Sequence, residues 1–242
     1  MNTRILARSL ATLTVTAGLG LAGSVAVDAS ALPSPTPTNA ANPALLSGVK
    51  SLCNIGVQRR LAVLSADDTF VETSVALTSS DQSTLEGQIS ADKSGLTALN
   101  ATIQGDTTYA KVFADCGLIV TDYRVYVMED PKIHEVIAAD GIGKVDSAFA
   151  TVIPELQNLI TTSTMSATVK AEAQADLNTL SGKVTSSQTS ISGVSASVIN
   201  LVPSGWPGNQ ADLKSARTNI VNASTDLKGA WSDVNTILTL LG

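Results

Sequence analysis

The sequence predicts an all-α protein, an elongated antiparallel helical bundle built from coiled-coil hairpins. Three observations carry that expectation. Apolar residues recur every three or four positions from Pro43 almost to the last residue, the period of one buried helix face. Strand signals are few from Pro43 onward. The cluster Pro203-Ser204-Gly205-Trp206-Pro207-Gly208-Asn209 separates two regular apolar stripes, as a turn between antiparallel arms would.

The elements follow in order. Residues 1–31 read as a secretory signal peptide. Arg4 and Arg8 precede an apolar stretch from Leu10 to Val27, and Ala29-Ser30-Ala31 supplies a small-residue cleavage site. The apolar stretch is rich in Ala, Gly, Thr and Ser, which suits cleavage better than a permanent membrane anchor. Residues 32–42 form a Pro/Ser/Thr-rich tether, in which Pro33, Pro35 and Pro37 favour polyproline II and block helix. The mature protein is therefore expected to be secreted or extracellular, either released or associated with the cell wall, and without stable membrane insertion.

Residues 43–165 are expected to form an N-terminal helical bundle. Leu46, Val49, Cys53, Val57, Leu61, Leu64, Val71 and Val75 trace the first helix, and Ser79-Ser80-Asp81 breaks it. Ser83 and Glu86 have capping-box spacing for the second helix. There Leu85, Ile89, Asp92, Leu96, Leu99 and Ile103 form a coiled-coil seam with one carboxylate in it. The stripe continues through Tyr109, Val112, Cys116, Ile119 and Val127, and the lone Gly105 is expected to kink this helix rather than end it. Arg124-Val125-Tyr126-Val127-Met128 has the composition of a short strand. Asp130 and Pro131 fit the cap and first position of a further helix, which Gly141, Gly143 and Pro154 make prone to interruption.

Residues 166–242 are expected to form a C-terminal antiparallel hairpin. One arm runs from Val169 through Leu177, Leu180, Ile191 and Val194 to Leu201, and the other from Leu213 through Ile220, Leu227 and Val234 to Leu241. With the turn centred near Trp206, residues whose numbers sum to about 411 should face each other across it.

The stretch from Arg59 to Asp140 carries a resemblance. Arg59-Arg60-Leu61, Ile89-Ser90-Ala91-Asp92-Lys93-Ser94-Gly95-Leu96, Ala114-Asp115-Cys116 and Ile119-Val120-Thr121-Asp122-Tyr123-Arg124-Val125-Tyr126-Val127, followed by Pro131-Lys132, are its pieces. Together they resemble the uncharacterised secreted coiled-coil-rich proteins of actinobacteria. The resemblance implies an exported, all-helical protein and brings no catalytic assignment. In those proteins the residues after the position of Val127 are more apolar than Glu129 and Asp130.

Composition excludes more functions than it suggests. A net charge of -6 offers no basic face for phosphates, so no nucleic-acid partner is expected. One His and two Cys leave no His-rich or zinc-knuckle metal centre, and neither metal nor cofactor is expected. Cys53 and Cys116, the only cysteines of an exported chain, are a disulfide candidate. Their spacing is awkward: a tight turn near Ser79 would place Cys53 level with roughly residue 106, about ten residues short of Cys116. His134 lies among Glu129, Asp130, Glu135 and Asp140, and reads as a helix-surface histidine rather than a general base, since no nucleophile elbow accompanies it. Asp67-Asp68 reads as a solvated face. Asp92, Asp122, Tyr123 and Arg124 form a polar set suited to fixing helix register or to recognition.

The expected function is a non-enzymatic helical spacer or protein-interaction module of the cell envelope, whose partner is a protein or an envelope component. The alternatives are an extracellular hydrolase and a membrane-active bundle. The first would need a polar cleft around His134 or around facing carboxylates. The second is disfavoured by the acidic charge, which anionic lipids repel.

Overall fold

The computed structural model describes residues 42–242; the expected signal peptide and all but the last residue of the expected tether lie outside the described residues. Five long helices pack against one another, and no strand occurs among the described residues. The all-α expectation holds.

Helix α1 (Pro43–Thr73) begins where the Asn42 side chain accepts the Ala44 amide and Pro43 occupies the first turn. Helix α2 (Ser79–Gly105) begins four residues before the expected capping box. Thr78 is its cap, accepting the Asp81 amide at 3.1 Å, while Glu86 is taken by Gln82. The two helices are antiparallel, tied by Lys93–Asp68 at 2.9 Å, Asn100–Asn54 at 2.9 Å and the Lys50 ammonium on the Gln104 carbonyl at 2.7 Å.

The chain does not kink at Gly105. Helix α2 ends there, and α3 (Tyr109–Thr121) starts afresh with Thr108 as its cap. Asp106 is buried beside the turn and pairs with Lys111, an interaction that a continuous helix could not provide. Helix α3 then returns alongside α1, with the Tyr109 hydroxyl donating to the Asn42 carbonyl at 2.9 Å. Val57, Leu64 and Val71 of α1 meet Leu85, Ile89, Leu96 and Ile103 of α2 and Val112 and Ile119 of α3 in one core.

The expected strand at Arg124–Met128 is a π-helical turn, Val125–Glu129, entered through Arg124 in the left-handed region at φ 41°. Val125, Met128 and Glu129 are buried, a spacing of three and four that belongs to a helix. The turn leads directly into α4 (Asp130–Thr162), so Asp130 continues the helix instead of capping it. Gly141, Gly143 and Pro154 do not interrupt α4. Pro154 and Ala150 are both exposed, so the carbonyl that loses its partner to proline faces water.

Helix α4 is about 50 Å long and serves two bundles. Its first half lies on α1 and the α1–α2 connection: Asp140 accepts the Thr78 amide at 2.8 Å, and Lys144 donates to the carbonyls of Val75 and Leu77. Its second half packs between α5 (Ala167–Ile191) and α7 (Gln210–Leu241), burying Phe149, Val152, Leu156 and Ile160. Helices α5 and α7 form the expected antiparallel pair. Lys183 lies against the narrow Gly229, one residue from the expected register, and reaches on to Asp233 at 2.8 Å.

The first arm of that pair is not one helix. It stops at Ser192, turns on Gly193 at φ 74°, and resumes as the five-residue α6 (Val194–Val198). Glycine is suited to the left-handed turn because it has no β-carbon to clash.

Candidate functional site

Chain reversal at Asp106 resolves the cysteine problem. Because α3 folds back along α1, Cys116 arrives level with Cys53, and the two form a disulfide with their α-carbons 5.7 Å apart.

The polar set expected from Asp92, Asp122, Tyr123 and Arg124 divides. Tyr123 packs its hydroxyl on Gly95, where a β-carbon would collide with it, and lies near Asp92. Burial and then Asp92 raise the Tyr123 pKa above the ordinary tyrosine value. Asp122 is exposed at the end of α3, accepting the Thr121 hydroxyl. Arg124 turns the other way, donating from Nε to the Pro203 carbonyl at 3.1 Å with its guanidinium 5.9 Å from the Trp206 ring centroid. It thereby pins the α6–α7 connection to the π-helical turn.

The charges near Asp92 are Glu129 and Lys132. Glu129 and Lys132 form an ion pair at 2.6 Å with side chains 5% and 2% exposed, and the ammonium also donates to the Leu201 carbonyl. Burial pushes the Asp92 carboxyl up to about 6; Glu129 adds to the rise and Lys132 opposes it. Burial also raises Glu129, against the pull of Lys132. A salt bridge so nearly dry fixes the junction of α2, α4 and the Leu201 segment.

A second polar group lies on the neighbouring face. Asp67 of α1 is only 4% exposed, and its Oδ2 has no hydrogen-bond partner. Asp130 and His134, one turn apart on α4, face it, and one ligand atom from each of the three residues falls within 4.8 Å of the others. His134 Nε2 is 3.5 Å from Asp130 Oδ1, and the half-exposed imidazole rests on Phe70 with ring centroids 5.2 Å apart. Burial first, and then the Asp130 charge, push the Asp67 carboxyl up to about 7, while polar contact with Asp130 holds the imidazole above its ordinary pKa. Asp67, expected on a solvated face, is buried; His134, expected at a helix surface near acids, is half-exposed beside Asp130. The local sign of the group is Asp130 and His134 at helical i, i+4 spacing, which puts both on one face.

An open groove lies farther along α4, where Asp140, Asp81, Ser195 and Lys144 line the step between α2 and α6. Ser195 donates to Asp81 at 2.8 Å and Asp140 is occupied by the Thr78 amide, so these groups close the groove wall on themselves. No helix among the described residues is long and apolar enough to cross a membrane.

No protein-family model, curated protein or solved structure matches this chain.

Proposed function

We propose that the protein is a non-enzymatic, secreted or cell-envelope spacer that holds an interaction surface away from a tethered N-terminus. The observation that carries this reading is α4, one unbroken helix shared by two bundles. Such a helix makes a stiff rod, because bending it breaks backbone hydrogen bonds and separates two packed cores. Helix α1 enters at one end of the rod, and α4 and α7 finish at the other. By helix rise, the span from Pro43 to Leu241 is on the order of 80 Å. The Cys53–Cys116 bond suits an oxidising compartment, and the resemblance to exported actinobacterial proteins points the same way. The partner at the distal end is a protein or an envelope component.

Spin labels at exposed positions on the first turn of α1 and the last turn of α7 test the spacer directly. A single distance distribution beyond about 60 Å is expected from the helix lengths. A broad distribution, or one centred below about 40 Å, would remove the rigid spacer. Cell fractionation tests the location, and protein retained in the cytoplasm with its signal intact would contradict it.

A further inference from the structure

We infer that Asp67, Asp130 and His134 form a binding site for a divalent transition-metal ion of the zinc class. The inference stands apart from the spacer reading and survives if that reading fails.

The donor set is the first argument. Two carboxylate oxygens and one imidazole nitrogen suit a borderline divalent cation, and their two negative charges match its own. The three come from two helices. Asp130 and His134 share a face of α4 through their i, i+4 spacing, and Asp67 is delivered by α1. An ion here would therefore cross-link the N-terminal bundle to the long helix.

The bonding left open is the second argument. Asp67 is carried almost wholly out of water, yet its Oδ2 accepts no hydrogen bond. A buried carboxylate oxygen ordinarily has a donor, because leaving it bare costs the hydration it has lost. His134, the one ordinary donor of the three, has its Nε2 3.5 Å from Asp130 Oδ1 and makes no hydrogen bond to Asp67 Oδ2. Three groups converge, and neither of the other two donates to Asp67 Oδ2.

Size is the third. With metal–ligand bonds of about 2.1 Å, two ligand atoms on one ion are at most about 4.2 Å apart. The widest separation in the cluster is within 4.8 Å, so side-chain shifts of under about 1 Å bring all three into one coordination sphere. Phe70 limits the swing of the imidazole and orients it toward the carboxylates. The exposed side of His134 leaves an entry path, and water would complete the sphere.

Zinc chloride titrated calorimetrically into the untagged, chelator-treated protein tests the site, with cobalt(II) absorption as a second readout. One saturable equivalent is expected, along with visible cobalt bands from a low-symmetry oxygen–nitrogen site and a higher Tm in zinc. Asp67→Asn and His134→Ala should each weaken zinc binding at least tenfold, while Asp140→Asn, in the separate groove, should bind like the parent. If Asp67→Asn fails to fold, the half-exposed His134→Ala carries the test, with circular dichroism confirming its helix content. Absence of saturable binding, or binding retained in the folded His134→Ala protein, would overturn the inference.

Discussion

The two ends of the molecule are held together by different physics. In the C-terminal bundle, α5 and α7 meet along a regular seam of Leu177, Leu180 and Val184 against Ala216, Ala223, Ala230, Val234 and Ile237. Small residues allow close approach and bury modest area, and the long repeat supplies the stability. The N-terminal bundle has a more abrupt topology, with a reversal at Asp106, and it carries the fixed ties: a disulfide, a dry ion pair and a convergent polar cluster. Local periodicity can specify a hairpin by repetition. A three-element reversal needs particular long-range bonds to hold its register.

That contrast can be broken or sharpened by experiment. The largest effect is expected from Cys53→Ser/Cys116→Ser, which removes about 4 kcal/mol by the loop-entropy argument, read by urea unfolding. Hydrogen exchange should show the loss concentrated in α1–α3. Equal loss of protection in α5 and α7 would mean that α4 couples both bundles into one cooperative unit.

Lys132→Met should cost about 3 kcal/mol, because it strands the Glu129 carboxylate in a dry junction. Adding Glu129→Gln should recover most of that, and a double variant no better than the single would locate the loss in packing. Next comes Leu180→Ala, at about 2.5 kcal/mol, the cost of a fully buried leucine in the C-terminal seam. A cost near zero would show that the Ala-rich seam collapses to fill the space.

The smallest effect is a pH slope. Asp92 titrates near 6 in the fold and near its ordinary 3.8 when unfolded, so between those values the native state holds a proton the unfolded chain has lost. Stability from this group is therefore greatest below pH 4, falls as pH rises to 6, and is level above. Asp67, pushed to about 7, adds a slope of the same sign, as does buried Asp146 in the C-terminal bundle. Asp92→Asn should flatten its share and stabilise the protein at pH 7.5 by about 1 kcal/mol, less than the full shift because the carboxyl keeps partial contact with water. Melting curves at pH 5 and 7.5 check both statements.

Legibility in the sequence follows the same division. The α5–α7 hairpin was readable because its apolar spacing is local and its turn is rich in proline and glycine. The reversal at Asp106 was not, since Asp106-Thr107-Thr108 is short and the stripe resumes at once with Tyr109. The ten-residue mismatch between the cysteines, which a kink at Gly105 was expected to close, is closed instead by that reversal. At Val125–Met128, β-branched composition suggested a strand, while the spacing of Val125, Met128 and Glu129 already belonged to a helix. Ser192-Gly193 carried a helix-stop signal that the unbroken apolar spacing concealed. For Asp92 the seam position was readable, but its charge partners are 37 and 40 residues away, at Glu129 and Lys132, beyond any local pattern. Asp67 was hidden for the same reason: adjacent acids look solvated until a remote helix covers one of them.

The Cys53–Cys116 bond also sets the route that tension takes through the chain. A pull between Pro43 and Gly242 reaches Cys53 ten residues into α1, then passes across the sulfur bridge to Cys116. The 63-residue separation between the cysteines, all of α2 included, carries no load. At about 3.5 Å per extended residue, some 220 Å of contour length is locked away. Stretched in an oxidising compartment, the protein yields first in its C-terminal hairpin and α4, while the enclosed loop stays slack. Reduction releases that reserve, turning a short stiff link into a long compliant one.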